Sequence, residues 1–175
     1  MSRRDADPQA GLPIGLRIGL ISDTHGLLRP EALDFLAGCD HIIHGGDIGG
    51  PEILERLGAI APLTVVRGNN DTAPWARSIP ETVRLALGGV DLFVIHDLKQ
   101  LAGDPSAAAL AAGARVVISG HSHKPSHSER DGVLYVNPGS AGRRRFSLPI
   151  TAGELLIGAG PGAQEHVQVR LATLV

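Results

Sequence analysis

The sequence predicts an α/β fold with two packed sheets and helices outside them. Three observations carry this expectation. The first half alternates short apolar runs with helix-like stretches that open on proline, as a parallel strand–helix–strand unit does. The second half places two-residue turn signals, Gly88-Gly89 and Asp131-Gly132, between apolar runs, as hairpins do. The 175 residues suffice for one domain, and a chain of this size buries about 70% of its unfolded surface.

Residues 1–15 are polar, rich in Gly and Pro, and without periodicity; they read as a disordered tail before a single domain, 16–175. Residues 16–21 (LRIGLI) form the first predicted strand. A helix over 30–37 starts at Pro30, and a strand follows at 41–44 (HIIH). Pro51 opens a second helix, 51–57, where its missing N–H costs nothing. A third strand covers 63–66. Strands 83–87 and 90–95 flank Gly88-Gly89. A helix over 105–112 leads to a strand at 115–118. Asp131-Gly132 precedes a strand at 133–136, and strands at 154–157 and 167–171 close the pattern.

Composition narrows the function. Sixteen Lys and Arg stand against 18 Asp and Glu, which argues against a nucleic-acid binder that relies on bulk positive charge. The single cysteine, Cys39, excludes an intrachain disulfide and a cysteine-only metal site; it reads as a small buried hydrophobe. No apolar run is long enough to span a membrane, and no signal-peptide core follows the basic start, so a cytoplasmic protein is expected.

The chemistry-bearing residues follow the predicted strands. Asp23-Thr24-His25 follows the first, Gly45-Gly46-Asp47 the second and Gly68-Asn69-Asn70-Asp71 the third. His96 ends the hairpin strand, and Gly120-His121-Ser122-His123 follows the next. Loops at the carboxyl ends of strands converge on one crevice. They gather two carboxylates, one amide and four imidazoles: Asp23, His25, Asp47, Asn69, His96, His121 and His123. Imidazole suits zinc, iron, manganese, nickel or copper, and carboxylate adds affinity for hard ions. Seven ligands are too many for one tetrahedral ion and fit two, with positions left for water and substrate. Asp47, alone in its loop and able to bridge, is the natural shared ligand. Two divalent ions against two carboxylates leave an excess of positive charge that attracts a phosphate ester. Two ions about 3.5–4 Å apart stabilise in-line displacement at phosphorus, and metal coordination brings the pKa of water to about 7. Asp23 and Asp47 also suit N-caps of the helices that follow them; four histidines in matching loops favour ligation.

Taken together, Asp23-Thr24-His25-Gly26, Gly46-Asp47, Gly68-Asn69-Asn70-Asp71, His96, Gly120-His121-Ser122-His123 and Asn137-Pro138-Gly139-Ser140 resemble the motifs of the calcineurin-like metallophosphoesterases, in particular their small bacterial and archaeal phosphodiesterase branch. The resemblance implies a four-layer αββα sandwich of two mixed sheets flanked by helices. It implies that Asp23, His25 and His123 bind one ion, that Asp47 bridges, and that Asn69, His96 and His121 bind the other. Two divalent ions are expected, manganese first, with iron, zinc or nickel as alternatives. The activity implied is phosphoester hydrolysis, read here as a phosphodiesterase in which a metal-bridging hydroxide attacks phosphorus in line.

Two departures qualify that reading. Many family enzymes carry G-N-H-[DE]; here Asn70 takes the histidine's place in the catalytic site and cannot donate a proton at pH 7. Weak activity on esters with poor leaving groups follows. Close relatives often show H-G-H where this chain reads His96-Asp97-Leu98. Asp97 is a candidate orienter of a ligating histidine. His41 and His44 read as structural, Asn137 to Ser140 as a turn, and Arg143-Arg144-Arg145 as either a steering element or a solvated loop. Arg67 is a candidate phosphate contact and Trp75 either stacks on substrate or packs. The expected partner is a small phosphodiester or nucleotide-type substrate, with no membrane or nucleic acid and with a homodimer compatible with the exposed sheet edges. The alternatives are a phosphomonoesterase and a non-catalytic metal-binding scaffold of the same fold.

Overall fold

The computed structural model describes residues 14–175. Strand β1 (Ile14–Ile21), helix α1 (Pro30–Leu36), β2 (His41–His44), α2 (Pro51–Gly58) and β3 (Leu63–Val65) run in the predicted order. They are followed by β4 (Thr82–Leu87), β5 (Val90–Ile95), α3 (Gln100–Gly103), α4 (Pro105–Ala111) and β6 (Val116–Ile118). Then come β7 (Ser126–Arg130), β8 (Val133–Asn137), β9 (Thr151–Gly158) and β10 (Val167–Thr173). One five-stranded sheet has the order β10-β9-β1-β2-β3 and the other β4-β5-β6-β8-β7. Both are mixed: β1-β2-β3 and β5-β6-β8 are parallel, and β1-β9, β9-β10, β4-β5 and β7-β8 are antiparallel.

Alternation of side chains builds the layers. Ile18 and Leu20 of β1 meet Val90, Leu92 and Val94 of β5 between the sheets. Ile21 and Ile42 face outward onto Leu36 of α1 and Ile53 and Leu57 of α2. Phe93, Ile95 and Val117 face outward onto Ala107 of α4. Central strands covered on both faces read as near-continuous apolar runs, which is why they were legible. The result is the four-layer αββα sandwich. Two-residue turns close the hairpins, with left-handed φ at both Gly88 and Gly89 and at both Asp131 and Gly132.

Helix α3 was not predicted, and three further features differ from the sequence reading. Ile14 and Gly15 belong to β1, where Ile14 pairs with Gly158, so the fold starts inside the predicted tail; residues 1–13 of that tail lie outside the described residues. Strand β7 has no apolar residue and is exposed along its length, so hydrophobic periodicity could not find it. Strand β9 begins at Thr151 rather than 154, and its first residues are buried despite Thr151 and Gly153. No described helix is long and apolar enough to cross a membrane.

Candidate metal centre

All the loops singled out above lie at the carboxyl ends of β1, β2, β3, β5 and β6. Neither Asp23 nor Asp47 caps a helix: Arg29 precedes α1 and Gly50 precedes α2. Instead both adopt left-handed backbone. Asp23 has φ 53°, His25 46°, Asp47 54°, His121 68° and His123 60°. Asp and His tolerate this region better than most residues, yet each such turn costs about 1–3 kcal/mol. Five of the seven candidate ligands therefore sit on strained backbone that the surrounding hydrogen bonds must hold.

The side chains converge. Asp23 is fully buried; its Oδ2 accepts from Ser22 Oγ at 2.6 Å and from the His121 N–H at 3.1 Å. Its Oδ1 has no hydrogen-bond partner among the described residues and lies 3.3 Å from His123 Nε2 and 3.9 Å from His25 Nε2. Those two nitrogens face each other at 3.3 Å. Asp47 Oδ2 is 3.7 Å from His25 Nε2 and 3.4 Å from His96 Nε2. Asn69 Oδ1 lies 3.0 Å from His96 Nε2 and 3.1 Å from His121 Nδ1. Asp47 thus stands between an Asp23–His25–His123 cluster and an Asn69–His96–His121 cluster, and Asp23, Asp47 and His96 also converge. A buried carboxylate oxygen without a donor is costly. Its orphaned state beside two opposed imidazole nitrogens fits a divalent cation, and the oxygen and nitrogen donor set suits the first-row metals.

Proton positions follow from the same contacts. Burial would raise the Asp47 carboxyl, but the His96 contact and hydrogen bonds from the Asn70 N–H and side-chain amide outweigh it, so Asp47 stays ionised well below neutral pH. Burial would lower His96, but Asp47 and Asp23 outweigh it and the histidine is raised. His96 Nδ1–H donates to the Gly45 carbonyl at 2.7 Å, so Nε2 is the nitrogen presented to the site. His25 is lowered, first by burial, against the pull of Asp47 and Asp23; the charge of Arg145 adds to the lowering.

His44 and Asp71 organise the loops. His44 is wholly buried, and burial drives its pKa down to about 4. The Gly46 N–H donates to its Nδ1 at 3.1 Å, so Nε2–H donates to Thr24 Oγ1 at 2.9 Å, and that hydroxyl donates to the Ile48 carbonyl. One neutral ring therefore ties the Asp23–His25 loop to the Asp47 loop. The Asp71 carboxylate accepts from the N–H groups of Ile48, Gly49 and Gly68, joining the Asp47 loop to the Asn69 loop. The signal for Asp71 was its place in the Gly68-Asn69-Asn70-Asp71 block; nothing in the sequence revealed what it holds. Asn137 clamps the histidine loop by donating to the Gly120 carbonyl, and Ser140 Oγ donates to the Asp23 carbonyl.

The remaining candidates separate. The Asn70 amide donates to Asp47 Oδ2 at 2.8 Å, so this donor is already engaged. Asp97 lies 3.8 Å from His121 Nε2. Arg67 pairs with Glu81 at 2.7 Å. Trp75 is half-buried and packs against the core under α1 and α2. His41 meets Thr64 Oγ1, and His127 and His166 are exposed. Cys39 is buried, as expected.

Comparison with known proteins agrees. Residues 16–157 match the calcineurin-like phosphoesterase superfamily domain. A protein of Methanothermobacter thermautotrophicus named as a probable metallophosphoesterase is 36% identical over 143 residues, covering 75% of this chain and 81% of its own. Among solved structures, an archaeal phosphodiesterase superposes with a TM-score of 0.68 at 22% identity, over 90% of this chain and 100% of that one. Vacuolar protein sorting 29 of Cryptosporidium parvum reaches 0.69 at 20% identity, over 91% and 98%. The two structures speak to the fold. The motifs, the domain match and the archaeal relative together make the chain a member of the calcineurin-like phosphoesterase superfamily.

Proposed function

We propose that the protein is a phosphodiesterase dependent on two divalent ions, manganese first, acting on a small phosphodiester or nucleotide-type substrate. The observation that supports this most is the placement of Asp47 between two ligand clusters, one of which leaves a buried carboxylate oxygen unpartnered. Asp23, His25 and His123 would hold one ion, Asn69, His96 and His121 the other, and Asp47 both. When bound, such ions supply Lewis acidity, drawing charge from phosphoryl oxygens and acidifying water.

The chain's own groups set the rest. Asp47 remains a carboxylate throughout the working range, so protons do not compete for it. His96 presents Nε2, and the pull of Asp47 and Asp23 favours its protonated form, so protons compete with a cation for that nitrogen. The Asn70 amide orients Asp47 and cannot protonate a departing alkoxide. Leaving groups that depart as stable anions are therefore favoured. A monoester dianion gains more from a proton donor, which places diesters ahead of monoesters. Retention of every ligand position favours catalysis over a scaffold role.

Metal-stripped protein should be given Mn2+, Zn2+, Ni2+ or Mg2+ separately, with a chromogenic phosphodiester and the matching monoester. The expected result is a metal-restored diester signal that disappears in Asp47→Asn. Activity that survives in Asp47→Asn sinks the reading.

A further inference from the structure

Beside the ligand loops lies a cavity of about 500 Å3 that the chemistry above does not use. It runs from His121 along β7 and β8 and is bounded opposite by the segment Asp97-Leu98-Lys99 before α3. Its size falls within the roughly 300–1,000 Å3 of small-molecule sites. Lys99, Lys124 and Arg130 line it, and none of the three takes part in an ion pair among the described residues. Among the described residues, Asp97 is the only carboxylate in the lining. The cavity is therefore cationic on a chain with a net charge of −2.

The polar strand β7 explains how the wall is made. A period of two places Ser126, Ser128 and Arg130 on one face. Register sets Ser128 opposite Tyr135, so that residue shares the face, and the Arg130 guanidinium lies over the Tyr135 ring at 4.4 Å. Stacking limits the freedom of the guanidinium while leaving its donors open. The strand without an apolar residue thus carries hydroxyls and a held cation into a cleft that opens at a metal-ligand candidate.

We propose that this cleft selects phosphodiesters whose non-leaving arm bears a second anion, a phosphate or a carboxylate, received by Lys124 and Arg130 with Lys99 across the cleft. The proposal rests on the phosphodiesterase reading and specifies the substrate class of that site. Charge-assisted bonds to guanidinium and ammonium recognise such a group, and the hydroxyls of Ser126 and Ser128 suit the polar linker between the two anions.

Three diesters with the same p-nitrophenolate leaving group test it on the Mn2+-loaded protein. One carries thymidine joined through its 5′ oxygen, the second the same nucleoside with a 3′-phosphate, and the third a glycolate carboxylate. The wild type is expected to prefer at least one anionic arm by about tenfold in kcat/KM, expressed in KM. Which arm wins identifies the anion. In the doubly substituted Lys124→Gln, Arg130→Gln protein that preference falls to about one, while Arg130→Lys restores part of it. No preference in the wild type, or a preference that the double substitution leaves untouched, overturns the proposal.

Calorimetry with thymidine 3′,5′-bisphosphate and metal-free protein separates this question from catalysis. Binding at least about tenfold weaker in the double variant supports the cleft even if no diester is hydrolysed, in which case the phosphodiesterase reading alone fails. Equal binding by wild type and variant rejects the cleft and leaves the phosphodiesterase reading standing.

Discussion

Asp23, His25 and His123 occupy left-handed turns and are buried or half-buried, and one carboxylate oxygen among them has no donor among the described residues. Asn69 and His121, on the other side of Asp47, are exposed, and there Asn69 Oδ1 already stands within hydrogen-bond distance of both His96 and His121. The first cluster is preorganised and left uncompensated without a cation. The second satisfies itself. A cation at the first would relieve a buried charge, whereas one at the second would compete with existing hydrogen bonds and with a His96 proton that Asp47 and Asp23 favour. On the two-ion reading proposed above, this difference would make occupation ordered, the Asp23–His25–His123 side filling first.

The largest expected effect comes from breaking the link between the halves. Asp47→Asn removes the charge both clusters share, and diester turnover should drop by well over the roughly 100-fold seen at most for residues that only support ligands. Steady-state kinetics at saturating Mn2+ measures this.

The loop clamp comes next. Unfolded His44 takes up a proton near pH 6.5, and folded His44 only near pH 4. The stability tied to it is complete above pH 6.5 and is lost as pH falls toward 4, by about 3 kcal/mol at most. Urea melts of metal-free protein should show this loss, and His44→Gln should flatten it in that window. A wild type equally stable at pH 7 and pH 4.5 would remove His44 from the clamp.

A smaller effect sharpens the contrast between the clusters. Asn69→Ala should weaken only the second, looser ion, by about tenfold, with the first unaffected. The smallest effect concerns protons. Because His96 is raised, entry of the second ion should release a proton, and more of it as pH falls. Titrations in buffers of different ionisation enthalpy will show whether the released fraction grows in that direction.

Much of the site was legible because each ligand follows an apolar run that ends at one edge of a sheet. Asp23, Asp47 and His96 could be placed without knowing any loop conformation. His44 and Asp71 could not. Their roles depend on which backbone N–H groups the left-handed turns at Asp23 and Asp47 bring within reach, and no spacing rule carries that information. The core between the sheets was legible from Ile18 and Leu20 in β1 and from the apolar run Leu92 to Ile95 in β5, whose lack of alternation marks two covered faces. Strand β7 was hidden for the opposite reason: Ser126 to Arg130 form an exposed edge strand with no apolar side chain, so hydrophobic periodicity does not announce it.

The most direct test is a calorimetric titration of metal-stripped protein with Mn2+, in the wild type, His25→Ala and Asn69→Ala. Two ions per chain are expected, the first bound at least about tenfold more tightly than the second. His25→Ala should abolish the tighter step and Asn69→Ala should weaken only the looser one. A single ion, two equal steps, or loss of the tighter step in Asn69→Ala would contradict the ordered, unequal centre.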